Sequence, residues 1–236
     1  MLERNQTRSS MNSHVGFRLA TLTLALLLGL QCIWLLLAEL SRPNLNGLPA
    51  DAQVAAAALK QRSDATWAAW IGAIRGDLWA KTAFTYANLL WIGPGSEPDA
   101  TKSLEQAHAA LDHALEDAPS QAGAWLLLAG LASRYRWPKL NATEALKMSY
   151  YTGPSDEALM PLRLRVAAAS ELTSDTEMQD FVRRDVRLLF ARHRESAVTE
   201  AYQGATPVGK RLIEGVVGEI DPARLQSLRA GPEPNL

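Results

Sequence analysis

Apolar positions recur at helical spacing along most of the chain. Leu104, Ala107, Leu111 and Ala114 step by three, four and three residues, which marks one face of a helix that Pro119 stops. After a polar turn, Trp125, Leu128, Ala129, Ala132 and Tyr135 mark a second helix, and Ala142, Leu146 and Ser149 a third that ends before Pro154. Upstream, Ala50–Arg62 is Ala-rich, Asp64–Ile74 carries Trp67, Trp70 and Ile71, and Asp77–Trp91 carries Trp79, Ala83 and Tyr86. Downstream, Leu159, Leu162, Val166 and Ala169 predict a helix over Asp156–Leu172 that Pro161 kinks or restarts, and Met178, Val182, Val186 and Leu189 predict another. No run of alternating β-branched residues is bounded by turn dipeptides, so the fold class predicted is all-α.

The helices have a periodic order. Ala107, Leu111, Ala114 and Pro119, followed by Trp125, Leu128 and Ala129, match the end of one tetratricopeptide-type (TPR) repeat and the start of the next. Ala142, Leu146, Ser149 and Pro154 repeat the first set, and the two terminating prolines stand 35 residues apart, against a usual period of about 34. Trp79, Ala83 and Tyr86 begin an earlier repeat, which Ile92–Pro98 lengthens as a loop insertion. An ordinary helical bundle is the competing reading, and it is equally all-α.

Capping residues mark the later helix starts. Asn141 with Glu144, and Ser174 with Glu177, have capping-box spacing. Thr206-Pro207 and Asp221-Pro222 each place a capping residue before a proline suited to the first helical turn.

One segment differs in kind. Leu19–Ala38 is 20 residues without a formal charge, eleven of them Leu or Ile, long enough to cross the roughly 30 Å core of a bilayer. A cleaved signal peptide would need a shorter apolar core and a small-x-small site, and Ala38-Glu39-Leu40-Ser41 supplies none. Gln31 before Cys32 excludes a lipoprotein cysteine. The expected organisation is a disordered cytoplasmic tail over 1–18, a transmembrane helix over 19–40, a linker over 41–49, a TPR-like all-α domain over 50–230 and a loose tail over 231–236. Arg4, Arg8 and Arg18 precede the span, so the N-terminus is expected in the cytoplasm and the body in the periplasm or exterior.

Composition changes this picture little. The formal net charge of −1 gives no field to recruit nucleic acid. The single cysteine, Cys32, allows the soluble part no internal disulfide. Gly204-Ala-Thr-Pro-Val-Gly209-Lys210 has phosphate-loop spacing, but Arg211 stands where Ser or Thr would hold magnesium and no buried strand precedes it, so no nucleotide is expected. His108 and His113 are five apart, and Glu105, His108 and Asp112 read as a solvated polar face. No catalytic, cofactor-binding or metal-ligating set is expected, and the chain reads as non-enzymatic. Seven arginines between Arg163 and Arg194 read as a charged solvent face, with an anion-binding patch as the alternative. Repeat proteins bind with the concave face of their first helices. In this register that face presents Phe84, Asn88, Ser133 and Arg134, with Arg136 at its exit, as the candidate protein-binding residues.

Arg75-Gly-Asp-Leu-Trp-Ala-Lys-Thr-Ala-Phe-Thr-Tyr86, Met148-Ser-Tyr-Tyr-Thr-Gly-Pro154 and Leu162-Arg-Leu-Arg165 resemble stretches of single-pass, TPR-like proteins of proteobacterial cell envelopes. The resemblance covers about residues 63–195. It implies a membrane-anchored periplasmic scaffold or adaptor with a protein partner in the envelope, in the setting of surface polysaccharide synthesis or export. A glycan-binding or glycan-modifying module and a self-associating structural protein, a homo-oligomer, stay open beside it.

Overall fold

A computed structural model describes residues 3–41, 52–91, 100–135, 141–170 and 175–230 of the 236-residue chain. The described residues form eleven helices: α1 Glu3–Leu40, α2 Ala52–Ile71, α3 Gly76–Trp91, α4 Ala100–Asp117, α5 Ala122–Tyr135, α6 Ala142–Thr152, α7 Met160–Ala168, α8 Thr176–Ala191, α9 Glu195–Gln203, α10 Pro207–Ile220 and α11 Pro222–Ala230. The all-α class is as the periodicity indicates. Of the expected linker and terminal tail, residues 42–49 and 231–236 lie outside the described residues.

Antiparallel pairs organise the body. α3 packs on α4 and α5 on α6, while α2 packs on α3. Beyond these pairs, α5 touches α3 and α7, α7 touches α9, and α8 touches α6 and α10. One device recurs in α3 and α5: the Trp79 indole N–H donates to the carbonyl of Ala73 at 3.2 Å, and that of Trp125 to Pro119 at 2.8 Å, six residues upstream in both. Each indole thereby ties the preceding turn to the first face of its helix.

The caps act where the sequence places them. The Asn141 side chain accepts from the amides of Thr143 and Glu144, Thr206 from that of Gly209, and Asp221 from those of Ala223 and Arg224. These satisfy amides that a helix start leaves without a partner. α8 is capped by Asp175, whose side chain accepts from Met178; Ser174 lies outside the described residues. Pro161 falls in the first turn of α7, so it starts that helix and does not kink it. α2 is continuous through Ser63, where two helices were expected, because no proline or glycine interrupts Ala52–Ile71.

α1 departs from the expected irregular tail. It begins at Glu3 and runs unbroken into the apolar span. Extending an existing helix adds a hydrogen bond per residue without a new nucleation cost, and no proline interrupts it. Its apolar stretch, Gly16–Leu40, is exposed on all sides up to its last turn, where Ala38 is buried, with Leu22, Leu26, Leu30, Ile33 and Leu37 all open. That is the length and composition of a membrane anchor or a signal sequence.

The main core joins α3 to α11 through residues such as Leu111, Leu127, Leu131, Leu146, Leu164, Met178, Leu189 and Ile213. A second, smaller cluster holds Ala38 at the end of α1 with Ala68, Ala69 and Leu78. Trp79 packs against both clusters. A salt bridge of 3.2 Å from Arg75 to Glu39 closes the same junction, and Arg75 also binds Asp77 in the first turn of α3.

Candidate protein-binding groove

α3, α5, α7 and α9 line a groove on one side of the body. One part is a cavity of about 220 Å³ bordered by Phe84 of α3, Leu159, Pro161, Leu162 and Arg165 at and within α7, and Ala197, Glu200 and Ala201 of α9. A second cavity of about 220 Å³ lies between Gly130, Ser133 and Arg134 of α5 and Arg165, Val166 and Ala169 of α7. Arg165 borders both, so the two adjoin at its side chain along the groove. Two glycines of α5 face the groove side. A side chain on Gly123 would meet the Phe84 ring at 3.7 Å and Leu159 at 3.9 Å, and Gly130 lies two turns further along the helix.

The floor is apolar and the rim is charged. Burial pushes the Arg165 guanidinium down from its usual range, and Glu200 opposes that shift. Arg194 lines the cavity and donates to the carbonyl of Glu157 at 3.1 Å. Each cavity is smaller than the roughly 300–1,000 Å³ of typical small-molecule sites. An open trough with an apolar floor, small pockets and charged edges suits an extended segment of chain better than a compact ligand.

The five residues picked from the sequence fare differently. Phe84, Ser133 and Arg134 line the groove. Asn88 is not presented: it is fully buried, and neither side-chain amide atom has a hydrogen-bond partner. Arg136 lies outside the described residues. Tyr135, beside it, donates its hydroxyl to the carbonyl of Leu90 at 3.1 Å, tying the end of α5 to α3.

The chain matches no protein-family model, no curated protein and no solved structure. The groove is therefore read from its own residues.

Sequence spacing alone did not assign Leu162, Arg165, Arg194 or Glu200 to the groove. The signal was present, since Gly130, Arg165 and Glu200 stand 35 residues apart in succession, the interval of the two prolines. The arginine-rich region does not act as one solvent face. Arg183 pairs with Asp180 in its own helix, Arg187 with Glu219 of α10 and Arg192 with Glu157. Arg163 is fully buried. It donates to the carbonyl and hydroxyl oxygens of Ser149 and lies over the Tyr150 ring at 4.8 Å.

That interior polar cluster continues into α8. Tyr150 stacks on Phe181 at 4.5 Å and donates to Asp185 at 2.9 Å. Burial pushes the Asp185 carboxyl up to about 6, against the Tyr150 bond and the Arg163 charge, which both pull it down. Burial also raises Tyr150, and the neighbouring Asp185 adds to the rise. Enclosed on α6, α7 and α8, these groups join three helices and are closed to a ligand.

Other candidate chemistry has structural explanations. Gly209, in the phosphate-loop-like stretch, is buried where α10 crosses α7, and a side chain there would stand 2.4 Å from the Ala168 carbonyl oxygen. Lys210 lies over the Tyr202 ring at 5.2 Å. His108 pairs with Asp112 at 3.1 Å on α4, and His113 lies against Trp79, ring centres 4.6 Å apart. Among the described residues no group of His, Cys, Asp and Glu is arranged to hold a metal ion.

Proposed function

We propose that this chain is a membrane-anchored scaffold whose helix pairs form a TPR-like solenoid and whose groove binds an extended segment of a partner protein. The observation that carries the reading is the row Gly130, Arg165 and Glu200. Each stands one 35-residue interval after the last, each lies on a successive odd-numbered helix, and all three border the groove. A solenoid repeats its concave positions in this way. A second row supports it. Thr82 of α3 donates to the carbonyl of Ala65 in α2 at 2.8 Å, and Arg163 of α7 bonds Ser149 of α6. Leu128 stands one interval before Arg163, and Thr82 stands 46 residues before Leu128, an interval lengthened by the Ile92–Pro98 insertion. On this reading α2 is the second helix of a half-repeat that caps the array.

α1 supplies the anchor, with the N-terminus cytoplasmic by the excess of arginines before the span and the body in the periplasm. The partner is a protein of the cell envelope. The setting of surface polysaccharide synthesis or export follows from the resemblance of Arg75–Tyr86 and Met148–Pro154 to envelope proteins of that kind.

The test is site-specific photo-crosslinking of the full chain in native membranes. A photoreactive residue at Ser133 should trap a defined partner, and one at Arg187 on the opposite flank should not. Arg134→Glu, at an exposed position of the groove, should abolish the trapping without changing the thermal unfolding of the protein. Equal trapping from both positions, or capture indifferent to Arg134→Glu, would refute the groove. A C-terminal reporter active only in the cytoplasm would refute the topology.

A further inference from the structure

α2 inverts the usual order of a helix packed on a soluble body. The positions it buries are small: Ala65, Ala68, Ala69 and Gly72. Both of its tryptophans face out, Trp67 61 % exposed and Trp70 72 %, as does Ile74 in the turn that follows, at 77 %, while Ile71 packs against the second cluster. Trp67 and Trp70 stand at i and i+3 on one face of α2, and Ile74 is exposed in the turn that ends the helix, so the three form one apolar stripe beside the start of α3. The two indoles contact each other edge to face at 6.5 Å. In water this is the costly side to expose. Against lipid it is the ordinary arrangement, small residues at the helix–helix contact and large apolar ones outside.

The location of the stripe identifies what covers it. Ala38, in the last turn of the apolar helix, is 1 % exposed because it packs with Ala68 and Ala69, the residues between Trp67 and Trp70. Arg75, next after Ile74, bonds Glu39, where the uncharged span ends. The stripe is therefore held within about one helix diameter, roughly 10–12 Å, of the end of α1. Tryptophan concentrates at that level of a bilayer, where the ring meets the acyl boundary and the N–H stays hydrated.

We propose that Trp67, Trp70 and Ile74 insert into the interfacial layer of the bilayer that α1 crosses, so that the body is seated on the membrane and not tethered above it. The ligand is the lipid surface itself. This rests on α1 being membrane-spanning, and Trp34 in α1 reports on that reading independently.

The experiment uses the full chain reconstituted in phosphatidylcholine vesicles, with or without phosphatidylcholine brominated near the headgroup or at mid-chain. Tryptophan fluorescence is compared for the wild type, Trp67→Phe/Trp70→Phe and Trp34→Phe. The component lost in the double variant should be quenched strongly by the headgroup-proximal bromines and weakly by the mid-chain ones. An unquenched component with Trp34 still quenched would overturn the seating while leaving the anchor intact. If Trp34 is unquenched as well, the anchor reading falls and the inference with it. Crosslinking of two chains through this stripe, abolished in the double variant while its bromine quenching is absent, would assign it to a second copy and overturn the proposal.

Discussion

Two glycines of α10 make opposite predictions for the same substitution. At Gly209 an added Cβ would stand 2.4 Å from the Ala168 carbonyl oxygen, 3.0 Å from its Cα and 3.1 Å from its carbonyl carbon. All three are backbone atoms of α7, which cannot rotate away. Restoring ordinary contact requires α10 to withdraw by roughly 1 Å, given carbon contact distances of about 3.5 Å. That movement stretches the bond from the Thr206 amide to the Ala168 carbonyl, now 2.8 Å, and loosens Ile213, Val216 and Val217, all buried from α10. Overpacking of this kind costs about 1–3 kcal/mol and a lost backbone bond about 1 kcal/mol. Gly209→Ala should therefore destabilise the body by about 2–4 kcal/mol, offset slightly by the better helix propensity of alanine.

At Gly215 a Cβ meets nothing within 4 Å, and the residue is exposed within the same helix. Only the propensity acts there, so Gly215→Ala should stabilise by roughly 0.5–1 kcal/mol. The assay is thermal unfolding of the detergent-solubilised full chain, followed by circular dichroism at 222 nm, the helix band. At about 2–4 °C per kcal/mol for a body of this size, Gly209→Ala should lower Tm by on the order of 10 °C and Gly215→Ala should raise it by about 2 °C. Equal shifts in the two variants, or a Gly209→Ala protein as stable as wild type, would refute the close approach of α10 to α7.

Asp185 gives a pH signature: its carboxyl, raised from 3.8 to about 6 by burial, holds its proton longer in the folded state than in the unfolded one. Its contribution to stability therefore falls as pH rises from about 4 to about 6 and is flat above, by up to roughly 3 kcal/mol at 1.36 kcal/mol per pKa unit. Urea unfolding at pH 4, 5, 6 and 7 should show that slope as the difference between wild type and Asp185→Asn, and a constant difference across the window would contradict it. Asn141→Ala, which removes the cap of α6, should cost about 1 kcal/mol in the same assay. Trp79→Phe and Trp125→Phe should each lose roughly 1 kcal/mol through the missing indole hydrogen bond, and a loss at one site only would contradict their equivalence.

What the sequence disclosed followed from local rules. Leu19–Ala38 declares itself because no charge interrupts it, and the starts of α6, α10 and α11 because Asn141, Thr206 and Asp221 act on amides two or three residues away. What it hid depends on which neighbour covers a face. Asn88 stands one turn after Phe84 on α3, so spacing assigns both to the groove, yet only Phe84 reaches it and Asn88 is sealed. Arg163 and Arg165 are both cationic and two residues apart, and their fates are opposite: Arg163 turns inward to Ser149, while Arg165 lines the trough. Trp67 and Trp70 have helical spacing that reads as core, and Ala68 and Ala69 take the core instead. Periodicity identifies a face, and only the fold decides whether protein, water or lipid lies against it.

The groove and the anchor are not independent parts. α3 carries Leu78, which packs with Ala38 at the end of α1, and Phe84, which borders the groove. Six residues separate them along one helix, about 9 Å of rise. Trp79, in both hydrophobic clusters, leaves no hinge between the two contacts. A rigid element thus sets the distance of the groove from the end of the apolar span, and on the proposed reading a partner must meet it there. Capture by the soluble body alone, presented in solution at every orientation, removes that geometric restriction. A comparison of partner trapping by the full chain in membranes with trapping by the body in solution therefore measures something the groove residues cannot: how much of the selectivity comes from where α1 holds the site.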